Sequence, residues 1–373
     1  MKNLALKQQV TDLLAIAGVT VNGSDPWDLQ VHDDRFYKRV LRDGTLGLGE
    51  SYMDGWWDCA QIDAFAFRVL RADLYKKANL SWKAILEMLL ARFINMQAKS
   101  KATQNARRHY DISNKLYQFM LDKRLNYSCG YWKNTDSLDV AQENKLDLIC
   151  RKLSLKPGQT VLDIGCGWGG FAKFAAEKYG AVVTGITVSE EQVALGRELC
   201  KGLPVEIRLQ DYRDIKEEFD HVVSVGMAEH VGYRNHRTFM EVAARCLKAD
   251  GLFLLHTIGQ NFSRTSADPF TNTYIFPNCV IPSMKQLSGA MEQLFVVEDV
   301  HNFGPYYDLT LQAWFTNFNA HWPELKADFD ERFYRMWKYY LLSSAGSFRA
   351  RQNQLWQLVL SKKGVLGGYE AVR

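Results

Sequence analysis

The seven cysteines are an odd number, and no two of them form a C-x-x-C pair. That pattern excludes a disulfide framework and argues against a zinc knuckle or an iron–sulfur cluster. Cluster-based radical chemistry needs such a set of thiolates, so that class is disfavoured, and no metal is expected. No unbroken apolar run is long enough to span a bilayer. The first residues, MKNLALKQQVTDLLAIAG, lack a long apolar h-region and a cleavage site. The expectation is a cytoplasmic chain whose membrane contact, if any, is peripheral. Charge is nearly balanced, with 46 Lys and Arg against 42 Asp and Glu and a net +4. That excess is too small to argue for nucleic acid, and none is expected. It suits a surface that touches anionic lipid, and equally an ordinary enzyme. No long-period repeat and no low-complexity tract interrupts the chain.

What is present is ample apolar content, 47% of 373 residues, enough for two domains. The stretch to about Met96 reads as helical, with Val10, Leu13, Leu14 and Ile16 at helical spacing. A polar turn follows at Asn22 to Pro26. Leu80 to Met96 is amphipathic and suits a core, a partner subunit or lipid. Gln97 to Arg108 is polar and basic and reads as a linker. The expected division is a helical domain at 1–96, a linker at 97–108 and a catalytic domain at 109–373.

From Gln159 the pattern alternates. TVLDIGCG reads as strand and turn, GGFAKFAAEKYG as helix, AVVTGITVS as strand and EEQVALGRELCKG as helix. VEIRLQDYRD, HVVSVGMAEHVG and GLFLLHTIG supply three more strands. Such alternation predicts an α/β, doubly wound, parallel-rich sheet. In such sheets ligands sit outside the carboxyl ends of the strands.

Asp163-Ile164-Gly165-Cys166-Gly167-Trp168-Gly169-Gly170 falls between a strand and a helix. Its glycines permit a tight turn and close approach of backbone to a ligand. The spacing of Gly165, Gly167 and Gly170 formally matches a dinucleotide fingerprint, but the second strand ends in GITVS without the acid that a nicotinamide dinucleotide requires. An acid inside the first turn would repel a pyrophosphate. It suits S-adenosylmethionine, which carries a sulfonium and an ammonium. Asp163 could instead cap the turn or the helix. Asp211, in LQDYRD, can accept from the adenine amine or sit near it.

VLDIGCGWGG with GITVSEEQ, QDYRD, EHVG and HTIG resembles the cyclopropane-fatty-acid synthase family. YSCGYW, at Tyr127 to Trp132, resembles the short motif these enzymes carry ahead of a Rossmann-like class I methyltransferase domain. The likeness extends to GLGESYMDGWW, from Gly47 to Trp57, and to the FRAR segment from Phe348 to Arg351. The upstream block is typical of the two-domain bacterial enzymes that act on phospholipid. The resemblance implies cofactor contacts from Tyr127, Ser128, the turn through Asp163, Gly165, Gly167 and Gly169, then Thr187, Gln192, Tyr212 and Arg213. It also implies a homodimer acting at the inner face of the membrane on phospholipid with unsaturated acyl chains.

An isolated alkene has no proton to remove beforehand, so it must attack the sulfonium methyl directly and leave a carbocation. A base then takes a proton from the new methyl group and the ring closes. Such a site must tolerate a cation and exclude water. Tyr274, Phe276, Phe303 and Trp314 offer aromatic faces for the cation. The resemblance implies that the base is a bound bicarbonate ion, held at the positions of Cys129, Glu229, His256, Tyr307 and the Ile258 amide. Hydroxyl, imidazole and N–H can donate to an anion, while Glu229 would accept from bicarbonate's hydroxyl or orient a neighbour. Cys129 is not expected to act as a nucleophile, because the methyl donor is already activated.

Each of these residues also has a plain structural reading. His256 suits a satisfied histidine in a buried strand, Glu229 a helix cap, Cys129 a small buried hydrophobe and Tyr307 core. Other functions on the same scaffold are methyl branching of the acyl chain, methylation of a small amine, or a lipid-binding scaffold. The Asn261 to Pro282 region reads as a lid over an acyl channel. Trp27, Trp56, Trp57 and Trp82 read as docking, dimer or core residues.

Overall fold

The computed structural model describes residues 2–74 and 114–373. The expected linker and the apolar Leu80 to Met96 segment, with Trp82, lie outside the described residues. The N-terminal part contains helices α1 (Lys2–Ile16), α2 (Arg35–Met53) and α3 (Ile62–Arg71). A small antiparallel ribbon pairs β1 (Gln30–Val31) with β2 (Trp57–Asp58). Helices α4 (Asn114–Met120) and α5 (Leu138–Lys152) precede the alternating region. That region runs β3 (Thr160–Ile164), α6 (Gly170–Tyr179), β4 (Val182–Thr187), α7 (Glu190–Leu199) and β5 (Val205–Leu209). It continues with β6 (Phe219–Val225), α8 (Ala228–Val231), α9 (His236–Cys246) and β7 (Leu247–Gln260). Then come α10 (Pro269–Tyr274), α11 (Met284–Met291), β8 (Val296–Asn302), α12 (Pro305–Ala320), α13 (Trp322–Leu325), α14 (Glu331–Arg349) and β9 (Asn353–Ser361).

Seven strands form one sheet in the order β5-β4-β3-β6-β7-β9-β8. Strands β5, β4, β3, β6 and β7 run parallel, and β8 is antiparallel to β9. This is the parallel-rich doubly wound class expected from the alternation. The strand order reverses at β3, which has β4 on one side and β6 on the other. That switch point opens a crevice at the carboxyl ends of β3 and β6. HVVSVGMAEHVG is shorter as a strand than it reads, because Ala228–Val231 turn into a helix.

Successive strand residues feed opposite cores, as a period of two requires. Leu162, Phe253, Leu255 and Leu358 join one apolar cluster with Phe239 and Leu287 from α9 and α11. Val161, Leu252, Leu254 and Val359 join another with Ile149 and Phe171 from α5 and α6. Because both faces are covered, these strands are apolar almost throughout. Each such side chain contributes roughly 1.5–3 kcal/mol by leaving water.

The chain gathers into two compact units. One holds the sheet and its helices, with Asn278–Tyr306 and Gln354–Arg373. The other adds Ser266–Pro277 and Tyr307–Asn353 to the N-terminal helices. A single boundary before 109 would assign both of those segments to the catalytic domain. They join the helical unit because their apolar faces find partners there. Helix α14 packs on α2 and α3, and α10 packs on α2. The region read as a lid therefore contributes Phe270 to an aromatic cluster with Tyr339. Trp57 is fully buried and donates its indole N–H to the Leu48 carbonyl at 3.1 Å. Arg335 of α14 donates to the Tyr52 and Trp57 carbonyls at 2.6 and 2.9 Å, closing the ribbon onto the helix. Within FRAR, Arg349 grips Asp308 at 2.8 and 3.0 Å and reaches Asp63 at 2.8 Å.

Gly346 lets α14 lie directly on the backbone of α3. A Cβ there would press into the Asp63 carbonyl, and it would stand 2.8 Å from Ala66 Cβ and 2.9 Å from Phe67 N. Alanine would gain about 1 kcal/mol of helix propensity. Overpacking against backbone that cannot rotate away costs typically 1–3 kcal/mol. Gly346→Ala should therefore lower the unfolding free energy in urea, by about 1 kcal/mol after the gain is subtracted. Unchanged or raised stability would show that the two helices have slack.

Candidate active site

The glycine turn follows β3. Gly165, Gly167 and Gly169 all have positive φ, of 82°, 56° and 82°. Side chains other than glycine rarely adopt that backbone, which explains the motif. Asp163, the last-but-one residue of β3, is buried, and its Oδ2 has no hydrogen-bond partner among the described residues. Burial pushes its carboxyl up to about 7, opposed by the charge of Lys145.

The YSCGYW loop is brought to this turn. Tyr127 and Trp168 both pack on Tyr117 of α4, with ring centroids 5.2 and 5.0 Å away. Helix α5 then grips the loop from beneath. Gln142 donates to the Ser128 carbonyl and Lys145 to the Ser128 hydroxyl, both at 2.7 Å. The Tyr131 amide donates to the Ala141 carbonyl at 2.8 Å. Asp122 braces the approach by accepting from the amide and side chain of Asn126 at 2.7 and 2.9 Å. Cys129 is fully buried within the loop.

The next two strand ends carry the remaining expected cofactor residues. Thr187 ends β4 and donates to Gln192 at 2.7 Å, while Ser189 caps α7. After β5, Arg213 forks onto both carboxylate oxygens of Asp211, at 2.7 and 2.6 Å. Asp211 thus accepts a bidentate ion pair as well as the cap bond from the Arg213 amide at 3.0 Å. Tyr212 is buried against Phe239, with ring centroids 5.6 Å apart.

Beyond β6, α8 places Glu229 at the end of β7. Its Oε1 accepts from the Ile258 amide at 2.6 Å, and its own carbonyl accepts from Val280 N at 2.8 Å. The Oε2 atom is buried with no partner among the described residues. Burial raises the carboxyl to about 7, against the pull of the Ile258 amide, its own amide and the Thr257 hydroxyl. At neutral pH this group is poised between its two forms.

His256 pairs with Val225 across the β6–β7 ladder, so Glu229 and His256 belong to neighbouring strand ends. Its Nδ1 lies 3.3 Å from the Gln357 amide nitrogen of β9. With that NH2 group as donor, Nδ1 accepts and the proton sits on Nε2. Nε2 is buried without a partner among the described residues. Burial, with the Lys145 and Lys152 ammoniums adding, holds the ring well below its ordinary pKa, so it is neutral. Phe303 stands edge-on 5.8 Å away, and Tyr131 packs on Phe303 at 5.3 Å.

Of the expected catalytic set, Cys129, Glu229, His256 and Ile258 therefore lie in the sheet unit. The Ile258 N–H, expected to face an anion, donates to Glu229. Tyr307 belongs to the helical unit, packed with Phe348 and Trp314 at 4.5 and 5.9 Å. Tyr274, Phe276 and Trp314 belong to that unit too, whereas Phe303 belongs with His256. Sequence reasoning missed Lys145, Gln142 and Gln357. The first two stand three apart on α5, polar residues that with Lys152 interrupt a buried face carrying Ala141, Leu148 and Ile149. That interruption was the available signal. Gln357 had none, being 101 residues from its partner.

Comparison with known proteins places this geometry. A family model described as mycolic acid cyclopropane synthetase matches residues 97–358. The cyclopropane-fatty-acyl-phospholipid synthase of Escherichia coli (strain K12) is 51% identical over 362 residues, covering 97% of this chain and 94% of its own. The crystal structure of mycolic acid cyclopropane synthase CmaA1, complexed with SAH and CTAB, superposes with a TM-score of 0.66. It is 31% identical and covers 70% of this chain and 98% of its own. Coclaurine N-methyltransferase shares the fold at a TM-score of 0.70 and 20% identity, over 84% of this chain and 99% of its own. On these grounds the chain belongs to the mycolic acid cyclopropane synthetase family.

Proposed function

We propose that this protein transfers a methylene group from S-adenosylmethionine to the cis double bond of unsaturated phospholipid acyl chains, forming a cyclopropane ring. The chain is an S-adenosylmethionine-dependent methyltransferase of the cyclopropane synthase family. The finer reading rests on one observation. Two buried polar atoms, Glu229 Oε2 and His256 Nε2, stand without partners among the described residues, His256 at the last rung of the β6–β7 ladder and Glu229 in the helix that follows β6.

Leaving such atoms unpaired costs about 1–3 kcal/mol each, a cost that a ligand bound to both would remove. One atom accepts and the other, in the assigned tautomer, donates. A bicarbonate ion has both an O–H and anionic oxygens and fits that pair. Asp163 Oδ2 is the matching orphan on the cofactor side, suited to a cationic ligand. Tyr127, Ser128, Asp163, the turn through Gly169, Thr187, Gln192, Asp211, Tyr212 and Arg213 would hold S-adenosylmethionine. Cys129, Glu229 and His256 would hold bicarbonate, with the Ile258 amide acting through Glu229. When bound, the first supplies an electrophilic methyl and the second a base for the proton that the new methyl must lose.

The chain's own groups do the rest. Gln357 fixes the His256 tautomer, so that its N–H is offered to an anion. Ile258 fixes one oxygen of Glu229 and leaves the other to receive a proton or a hydrogen bond. Phe303 and Tyr131 give an aromatic wall beside His256, which suits a transient cation and excludes water. The same proposal includes peripheral docking at the inner membrane face and a homodimer, with residues 1–96 as docking or dimer surface. Trp56 supports a surface role there, half-buried under Arg35 and Arg39 at 4.5 and 4.9 Å. No helix of the described residues is long and apolar enough to cross a membrane.

Vesicles of unsaturated phospholipid, incubated with methyl-labelled cofactor, should yield acyl chains that gain one methylene and keep every ring-or-double-bond equivalent by mass spectrometry. A saturated methyl-branched product would overturn ring closure. Glu229→Gln should cut kcat by roughly a hundredfold or more. Affinity for S-adenosylhomocysteine should stay near that of the unaltered protein, and wild-type turnover would remove Glu229 from its role.

The raised carboxyl of Glu229 also makes a stability prediction. The folded protein keeps this proton up to about 7, whereas the unfolded chain loses it near 4.5. Between those values the native state binds more protons, so its stability falls as pH rises. Relative to Glu229→Gln, the unaltered protein should lose on the order of 3 kcal/mol between pH 4.5 and pH 8 in urea titrations. Parallel curves for the two proteins would mean that Glu229 ionises normally.

A further inference from the structure

Lys145 is a charged side chain that nothing above requires, yet it is only 1% exposed. Burying an ammonium is costly unless it is paired. Its Nζ donates to the Ser128 hydroxyl at 2.7 Å, and the electrostatic partners that favour its charge are Asp122, Cys129 and Asp163. Gln142, one turn earlier on the same face of α5, holds the carbonyl of the same serine at 2.7 Å. Ser128 is thus clamped through both its oxygens by two buried side chains of one helix. Asp163 Oδ2 has no hydrogen-bond partner among the described residues, and the charge of Lys145 opposes the effect of its burial.

We propose that Lys145 is a positioning residue of the cofactor site, which with Gln142 fixes Ser128 in the YSCGYW loop for the incoming ligand. This inference rests on the reading of Ser128 and Asp163 as cofactor-binding residues. Lys145 touches no reacting atom. Its effect passes through the YSCGYW loop and the glycine turn, the two segments that must close on one ligand.

The titratable groups that face Asp163 are Lys145 from α5, Cys166 from the turn and Cys200 after α7. Burial raises both thiols above their ordinary value, so they stay neutral near pH 7. Lys145 in turn faces Asp122, Cys129 and Asp163, and its charge also reaches the His256 ring. Without Lys145, Asp163 ionises only at higher pH.

The test is equilibrium binding of S-adenosylhomocysteine by calorimetry across pH 6 to 9, with circular dichroism and melting curves as fold controls. Lys145→Met should weaken binding roughly ten- to hundredfold at neutral pH. The midpoint of the pH dependence of affinity should move upward. The double variant with Asp163→Asn should lose that midpoint, which assigns it to Asp163, whereas a merely structural lysine would leave the midpoint unmoved in Lys145→Met. Lys145→Gln keeps a donor for Ser128 without the charge, and it should show the pH shift with a smaller loss. That variant carries the test if Lys145→Met folds poorly. Folded lysine variants that bind within twofold of the unaltered protein, with an unmoved pH midpoint, would overturn the proposal. If Asp163→Asn and Ser128→Ala also bind normally, the cofactor-site reading itself fails. If those two lose affinity while the lysine variants do not, Lys145 alone is refuted.

Discussion

The bond from the Ile258 amide to Glu229 Oε1, at 2.6 Å, ties the short helix after β6 to the end of β7. A second bond, from Val280 N to the Glu229 carbonyl, anchors the same residue from the other side. Together they hold a carboxylate where burial opposes its ionisation, with one oxygen satisfied and the other presented. A buried half-satisfied carboxyl is unfavourable by itself, and it persists only where the surrounding strands and core over-determine its position. The parallel ladder from β5 to β7, filled on both faces, provides that rigidity.

Two carboxyl groups at neighbouring strand ends are both pushed to about 7, but they are compensated differently. Glu229 is supported by amide and hydroxyl dipoles, and Asp163 by a full positive charge on Lys145. Dipoles from fixed backbone hold an orientation, so Glu229 is the better placed to handle a proton at a defined atom. A through-space charge holds an ionisation state with less directional demand, which suits an acid that receives a flexible cationic ligand. His256, kept neutral by burial with its tautomer set by Gln357, is a donor rather than a charge. The proposed division of labour follows from these environments and not from residue type.

The helical unit shows a different economy. Its segments come from three parts of the chain, and aromatic packing joins them. Trp57, Phe65 and Tyr339 come from the ribbon, α3 and α14, with Phe270 from α10 set edge-on to Tyr339. Arg335 then stitches α14 to the Tyr52 and Trp57 carbonyls beside this cluster. Tyr307 and the FRAR arginine belong to this unit, so a motif read along the chain as part of a catalytic domain has a packing role in its own neighbourhood.

Much of the sheet was legible without coordinates because its signals are local. The acid–glycine turn is contiguous, the strands are short apolar runs closed by turn residues, and the helix after the turn ends at Gly180 in a left-handed cap. Strands β8 and β9 escaped notice, one carrying Glu298 and Asp299 and the other following a long helix, so neither shows the alternation that marked the rest. The assignment of Glu229 and His256 to one region came from strand order, a general rule of parallel sheets. What the amino-acid order determined by itself was the backbone: where glycine must stand, where strands run and which ends they present. Only the tertiary structure decided which polar atoms are paired and which are buried without a partner among the described residues. Lys145 beneath Ser128, Gln357 behind His256 and Ile258 against Glu229 are matters of burial. Desolvation depends on everything packed around a group, and no window of sequence contains that.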